Sequence, residues 1–119
     1  MLQITPHHRI LLAIQHIDFR KGIDGLVAAC QKELNQDAFT GTVFVFANRR
    51  RTNLKLLVYD GNGYWLCQKR FSSGKLSWWP KTNQATHILH AAELHILLAQ
   101  GCPDKAELPP DWRRIDHAA

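Results

Sequence analysis

The chain has 119 residues, of which 45% are hydrophobic, so it can build one domain around a single core but hardly two. Its net charge of +5 favours a polyanionic partner, because clustered Lys and Arg attract phosphates and release their counterions. The alternative is a solvated basic face with no partner. Cys30, Cys67 and Cys102 are widely spaced and form no C-x-x-C, which is typical of reduced thiols in a cytosolic protein rather than of a disulfide framework or a zinc site.

The N-terminal stretch has no targeting pattern. MLQITPHHRILLAIQH lacks the charged region, apolar region and small-residue cleavage site of a secretory signal. Its apolar run is also far shorter than the ~20 residues that a membrane helix needs. We therefore expect a soluble cytoplasmic protein with no membrane association.

The first half of the chain reads as strand, helix, strand. The branched apolar run Ile10–Ile17 predicts a buried strand, and DFRKGIDGL, from Asp18 to Leu26, suits a turn that opens into a helix. Thr42–Ala47 has no polar alternation, which predicts a central strand covered on both faces. The helix between them is indicated by apolar residues at helical spacing: Ile23, Leu26, Val27, Cys30 and Leu34.

A hairpin follows. Leu54–Tyr59 and Tyr64–Arg70 flank DGNG, whose residues tolerate the positive φ angles of tight turns. A four-residue loop would place Tyr59 opposite Tyr64, and each pair outward from it in step. A one-residue slip would exchange the two faces of the strand.

Three further elements complete the predicted fold. Ser72–Gly74 indicates a turn into a short strand at Lys75–Trp79, and Thr86–Leu89 suits an edge strand. A helix then begins near His90 and ends at Gly101 and Pro103. The fold class is α+β: an antiparallel β-meander of about four to five strands with two helices packed on it. Residues 1–103 are predicted to form the single domain and residues 104–119 an irregular tail.

Most of the positive charge lies in one stretch, Asn48–Lys81. Between Arg49 and Lys81 there are eight bases and one acid, Asp60. The three consecutive arginines fall in a connection between strands, where a loop can project guanidinium groups towards phosphates. Trp65, Trp78 or Trp79 could stack on unpaired bases, although a small domain usually spends tryptophans on its core. No base-reading motif is present, so binding would be sequence-tolerant.

The sequence favours no catalytic or metal site. His87, His90 and His95 are three and five residues apart, whereas zinc pairs on a helix favour a spacing of four. Asp18, Asp24 and Asp60 could in principle hold a divalent ion for phosphodiester cleavage, but nothing in their spacing shows that they converge. We therefore expect no cofactor and no enzymatic activity, with a metal-dependent nuclease as the weaker alternative.

The chain closely resembles the small TnpB accessory proteins of IS66-type bacterial insertion sequences, over roughly Ile10 to Gly101. The segments that carry the resemblance are DFRKGIDGL, VFVFANRRRTNLKLLVYDGNGYWLCQKR, SGKLSWWP and the LLAQG helix end. These proteins are unrelated to the RNA-guided nuclease of the same name. The paired tryptophans before Pro80 and the Cys-Pro after the last helix depart from the family pattern.

The resemblance implies an accessory protein of transposition, encoded beside a separate DDE-type transposase. Its functional surface would face either element DNA or the transposase, which leaves two readings: a DNA-binding accessory protein, or an adaptor that docks the cognate transposase. Together with Arg51 and Lys75 from the basic stretch, the residues carried over make ten predicted binding residues: Arg20, Lys21, Asn48, Arg49, Arg50, Arg51, Lys55, Lys69, Arg70 and Lys75.

Overall fold

The strand Val43–Ala47 lies at the centre of a five-stranded sheet, and all five of its residues are buried, as its unbroken apolar run predicts. A computed structural model describes residues 3–105. In chain order the elements are β1 (Ile10–Ala13), α1 (Ile23–Lys32), a short 3-10 helix (Ala38–Thr40), β2 (Val43–Ala47), β3 (Asn53–Tyr59), β4 (Tyr64–Arg70), β5 (Thr86–Leu89) and α2 (Ala91–Leu98). The strand order across the sheet is β4-β3-β2-β1-β5.

The two helices cover opposite faces of this sheet. Leu26 and Cys30 of α1 pack with Phe44 and other residues of one face, whereas Leu94 and Leu97 of α2 belong to the core on the other face. Every strand between the edges is therefore shielded from water on both sides. The predicted α+β class, with a single sheet of about five strands and two packed helices, is confirmed.

The sheet is mixed rather than wholly antiparallel. β2, β3 and β4 form the predicted antiparallel meander, and β5 pairs antiparallel with β1. β1 and β2, however, run parallel. The physical reason is the connection between them, because α1 crosses the sheet and returns the chain to the end from which β1 started.

The hairpin has the predicted register. Tyr59 lies opposite Tyr64, and the pairing continues in step to Asn53 and Arg70. Its turn is closed by Asp60, whose Oδ1 accepts from the backbone N–H groups of Asn62 and Gly63, both at 2.9 Å. These bonds favour the charged carboxylate, so they hold its pKa below the ordinary value.

The predicted strand at Lys75–Trp79 is wrong. This segment is irregular and is anchored by side chains instead of a ladder: the Trp79 indole donates to the Ile14 carbonyl at 3.0 Å, and the Trp78 indole donates to Asp104 at 2.8 Å. Both rings are partly buried against the core beneath α2. Trp65 remains 41% exposed, so the core interpretation of the tryptophans holds for two of these three.

The remaining expectations concern the cysteines, a membrane helix and the tail. The three cysteines are free; burial raises the pKa of the Cys30 thiol to about 12, so it is uncharged at neutral pH. Neither helix of the described part is long and apolar enough to cross a bilayer. The predicted tail lies outside the described residues, apart from Asp104 and Lys105.

A candidate nucleic-acid interface at one end of the sheet

The strand directions bring several connections to the same end of the sheet. Since β1 and β2 run parallel and their neighbours antiparallel, β1, β2 and β4 finish at this end, where β3 and β5 begin. The opposite end, here called the hairpin end, carries the β3–β4 turn, the 3-10 helix before β2 and the first turn of α2. Residues far apart along the chain therefore meet where β2 finishes.

Backbone hydrogen bonds join these connections to one another. Ile17 N–H donates to the Ala47 carbonyl at 3.0 Å, which ties the segment after β1 to the end of β2. Leu76 N–H donates to the Arg51 carbonyl at 2.9 Å, which ties the segment after β4 to the β2–β3 loop. Three separate stretches of sequence thus form one continuous surface.

We call this surface the basic end of the sheet. Four carboxylates of the described residues lie at or beside it, and three of them are engaged: Asp18 is bonded to Arg20, Asp104 is bonded to Trp78, and Glu33 Oε1 lies 3.9 Å from Lys21 Nζ. Asp24 lies in the first turn of α1. The exposed bases at this end include five that come from the β2–β3 loop, from the end of β4 and from the segments that flank them: Arg49, Arg50, Arg70, Lys75 and Lys81.

The β2–β3 loop is shaped by Asn48. Its side-chain oxygen accepts from the backbone N–H groups of Thr52 at 2.9 Å and Asn53 at 3.1 Å, while its amide group donates to the Thr52 hydroxyl at 2.9 Å. The predicted binding residue Asn48 is therefore occupied in holding the loop. Arg49 and Arg50, between these anchors, are left exposed to solvent.

The third arginine of the loop behaves differently. Arg51 is half-buried, and its guanidinium lies over the Trp79 ring at 4.5 Å from the ring centroid. Burial lowers its pKa from the ordinary value, because the charged form is removed from water. Sequence reasoning treated the three arginines alike, and it did not include Trp79 or Lys81 among the binding residues.

Lys55 is not on the surface, contrary to the prediction. It is only 6% exposed, and its Nζ donates to the carbonyl oxygens of Phe19 at 2.7 Å and Lys21 at 2.9 Å. It also lies 4.9 Å from the centroid of the Phe19 ring. Lys55 therefore fixes the segment before α1 and does not belong to a binding surface. In the sequence, the signal for this burial was the two-residue spacing from Leu57, which places Lys55 on the same face of the strand as that apolar residue.

The last two bases of β4 point to opposite faces of the sheet. Lys69 pairs with Leu54 on the face covered by α2, whereas Arg70 pairs with Asn53 on the face covered by α1. Lys69 Nζ donates to the Leu98 carbonyl at 2.6 Å, at the end of α2 where the helix dipole favours a cation. The basic residues thus share an end of the sheet. They do not share a face, so the prediction of a basic sheet face is wrong for this pair.

Arg20 and Lys21 lie at the edge of the basic end and already have acidic neighbours. Arg20 Nη2 and Asp18 Oδ2 are 2.7 Å apart, and these hydrogen bonds lower the pKa of Asp18 to about 2. Lys21 Nζ lies 3.9 Å from Glu33 Oε1. The Arg20 side chain remains 91% exposed, so it can still meet a partner, but with part of its charge offset.

The carboxylates considered for a nuclease site do not converge. Asp18 and Asp24 lie near the start of α1, whereas Asp60 is in the hairpin turn at the far end of the sheet. Among residues 3–105, no three His, Cys, Asp or Glu side chains are grouped closely enough to hold a metal ion. Within that range His90 instead begins α2, where its N–H donates to Glu93 at 3.0 Å.

Known proteins resemble this chain over most of its length. Residues 8–107 match the family described as IS66 Orf2 like protein. An uncharacterized protein of Sinorhizobium fredii, y4jC, is 36% identical over 107 residues, which cover 90% of this chain and 83% of the relative. A second uncharacterized protein of that organism, y4hO, is 31% identical over 99 residues, covering 83% of this chain and 85% of the relative. No solved structure matches the chain.

Proposed function

The chain belongs to the family of IS66 Orf2-like proteins, which gives it a role in insertion-sequence transposition, and we propose that in this role it binds DNA through its basic end. In this proposal the protein is a non-catalytic accessory factor. It contacts the sugar–phosphate backbone of DNA, including the DNA at the ends of the element. Strand cleavage is left to the transposase.

The observation that carries the proposal is the separation of charge between the two ends of the sheet. The basic end presents exposed cations that come from three different connections of the chain: β1–α1, β2–β3 and β4–β5. Among the described residues, the hairpin end has only Arg9 as a Lys or Arg, beside three acids: Asp37, Asp60 and Glu93. Such a dipolar charge distribution steers a polyanion towards one end of the protein and raises its association rate with that end.

The shape of the basic end favours contact with phosphates over the reading of bases. Arg49 and Arg50 lie at the tip of a tight loop held by Asn48, and not on a helix or a strand. Lys and Arg on such a loop fix the position of a duplex without identifying its sequence. We therefore expect binding that tolerates changes of DNA sequence and weakens steeply with salt.

A mobility-shift titration of duplex DNA at several salt concentrations tests the proposal. Replacing Arg49 and Arg50 by alanine should weaken binding and reduce the salt slope by about 1.8 units, at ~0.9 per lost phosphate contact. The control replaces Arg9, an exposed arginine at the hairpin end, by alanine, and Arg49→Ala alone is its match in charge. No binding at low salt, or an equal loss in the control, would exclude the proposal.

An exposed aromatic residue favours a second function, contact with the cognate transposase. Phe39 is 61% exposed, although its ring packs edge-on against Tyr59 at 5.0 Å and lies 5.6 Å from Tyr64. A ring held in place by other rings loses little freedom on binding, which suits an anchor at a protein interface. This patch lies at the hairpin end, so it leaves the basic end free for DNA.

Co-purification with the transposase after nuclease treatment tests the second function. Phe39→Ser should release the transposase, while the Arg49 and Arg50 double variant should retain it. If the transposase separates from the wild-type protein once DNA is digested, the two proteins are joined only through DNA and the adaptor role is excluded.

A further inference from the structure

A cavity opens beside the exposed tip of the β2–β3 loop. Its volume is about 390 Å³, and it lies between the end of β1 and the segment before β5. This volume is larger than a bare ion needs, and it can hold an ionic group that is part of a larger molecule. The residues that line it are Ile14, Gln15, Arg51, Pro80, Lys81 and Thr82.

Arg51 is held rigidly against the wall of this cavity. Its backbone has φ of 61°, in the left-handed region that a residue with a side chain rarely adopts, and its carbonyl is fixed by Leu76 N–H. Its guanidinium stacks on Trp79, whose indole is fixed in turn by the Ile14 carbonyl. The guanidinium is therefore oriented before any ligand arrives, which lowers the entropic cost of binding one.

Within the described part of the chain, no carboxylate balances the positive charge of Arg51. No carboxylate in residues 3–105 lies within ion-pair distance of it, and its buried Nη1 has no hydrogen-bond partner there. The exposed Lys81 adds a second cation to the cavity lining. Charges withdrawn from water are normally paired, so the half-buried Arg51, which has no acidic partner and has a second cation beside it, indicates an anionic ligand.

We propose that this cavity is a binding site for a single phosphate group of DNA, with Arg51 as the principal donor and Lys81 as the second cation. The proposal rests on the DNA-binding function and adds a discrete site to it. The phosphate is either a backbone diester or a terminal monoester, because both present the oxygens that a planar guanidinium contacts in pairs. Arg49 and Arg50, by contrast, act through their charge.

This difference separates the site from the rest of the basic end. Arg51→Lys preserves the charge but removes the planar fork and the stack on Trp79, whereas Arg50→Lys preserves all that an exposed charge contributes. In the same mobility-shift assay, Arg51→Lys should weaken binding about tenfold and Arg50→Lys less than about twofold. Equal effects of the two variants would overturn the proposal while leaving DNA binding intact.

Titration with inorganic phosphate tests the cavity without DNA. Phosphate should shift the NMR resonance of the Trp79 indole N–H in the wild type, and the shift should be lost in Arg51→Lys and reduced in Lys81→Gln. Because the Lys81 side chain is exposed, we expect Lys81→Gln to fold normally. An unchanged Trp79 resonance would overturn the site, whereas a shift in a protein that binds no DNA would retain the site and exclude the proposed function.

Duplexes with and without a 5′-phosphate identify the source of the phosphate. Tighter binding of the phosphorylated duplex, lost in Arg51→Lys, assigns the site to a DNA terminus. Equal binding of both duplexes, with Arg51→Lys still weaker, assigns it to the backbone. Equal binding of both duplexes by wild type and Arg51→Lys alike would remove the site.

Discussion

The two ends of the sheet are built in different ways. At the hairpin end the β3–β4 turn is closed by contacts within six residues: Asp60 accepts from the N–H groups of Asn62 and Gly63 and from the Trp65 indole. At the basic end a local contact, Asn48 with Thr52, shapes the β2–β3 loop, but contacts that span long stretches of chain hold the separate segments together, as in Lys55 with Phe19. The surface proposed to bind DNA therefore depends on the whole fold, whereas the hairpin turn depends on its own few residues.

Charge reversal should give the largest difference between the two ends. Arg49→Glu with Arg50→Glu removes two phosphate contacts and adds repulsion, so we expect DNA affinity at low salt to fall about 100-fold. Arg9→Glu at the hairpin end should change it less than about threefold, whereas Arg49→Glu alone should lower it about tenfold. Fluorescence anisotropy with a labelled duplex measures all three, and similar losses would show that net charge, not its position, controls binding.

Lys55→Met should give the next largest effect, on stability. It leaves the Phe19 and Lys21 carbonyls without their charged donor, so the free energy of unfolding should fall by about 2–3 kcal/mol. Lys75→Met, at an exposed lysine of the same end, should change it by less than about 0.5 kcal/mol. Urea denaturation compares the two, and equal midpoints would mean that Lys55 does not hold the segment before α1.

A glycine pair tests how local the hairpin end is. Gly61 has φ of 94° and Gly63 does not have positive φ, while a Cβ would meet nothing at either position. Gly61→Ala should therefore cost about 1 kcal/mol of unfolding free energy, whereas Gly63→Ala should cost less than about 0.5. DNA affinity should stay unchanged in both. A loss of affinity would show that the hairpin turn influences the basic end.

The smallest expected effect is a dependence of stability on pH, and it comes from two carboxylates, one at each end of the sheet. The pKa of Asp18 is lowered to about 2 by its bonds to Arg20, and that of Asp60 is lowered by its turn. A carboxyl whose folded pKa is depressed stabilises the fold above its unfolded pKa, near 4, and this contribution is lost as pH falls through the folded value. Urea midpoints between pH 6 and pH 2 should therefore fall.

Asparagine variants assign this pH dependence to the two ends. Asp18→Asn and Asp60→Asn should each flatten the fall in urea midpoint below pH 4. Only Asp18→Asn should also raise DNA affinity, by a few-fold at most, because it releases Arg20 at the basic end. A midpoint that falls as steeply in both variants as in the wild type would assign the acid sensitivity to other groups.

Local patterns were enough to predict much of the fold. The DGNG turn and the alternation on either side of it predicted the register of β3 and β4, because turn length and a two-residue period leave few alternatives. The unbroken apolar run of Val43–Ala47 predicted a central strand. The segment Lys75–Trp79 was predicted wrongly as a strand, since its tryptophans are held by the Ile14 carbonyl and Asp104, which no local pattern shows.

The predicted site shows the same limit. Clustering in sequence correctly indicated that Arg49, Arg50 and Lys75 would be exposed near one another, because loops between neighbouring strands share an end of the sheet. Sequence clustering could not separate Arg51 from its two neighbours. The difference depends on Trp79, which reaches the loop only after the chain has folded back.

By itself the sequence determined the strands, the helices, the hairpin register and the excess of positive charge, because each depends on residues within a few positions of one another. Only the tertiary structure decided that β1 would run parallel to β2, that Lys55 would be buried and that the bases would meet at one end of the sheet. Those outcomes depend on the path of α1 across the sheet and on contacts between distant residues, whose loop-closure entropy is offset only by the assembled core.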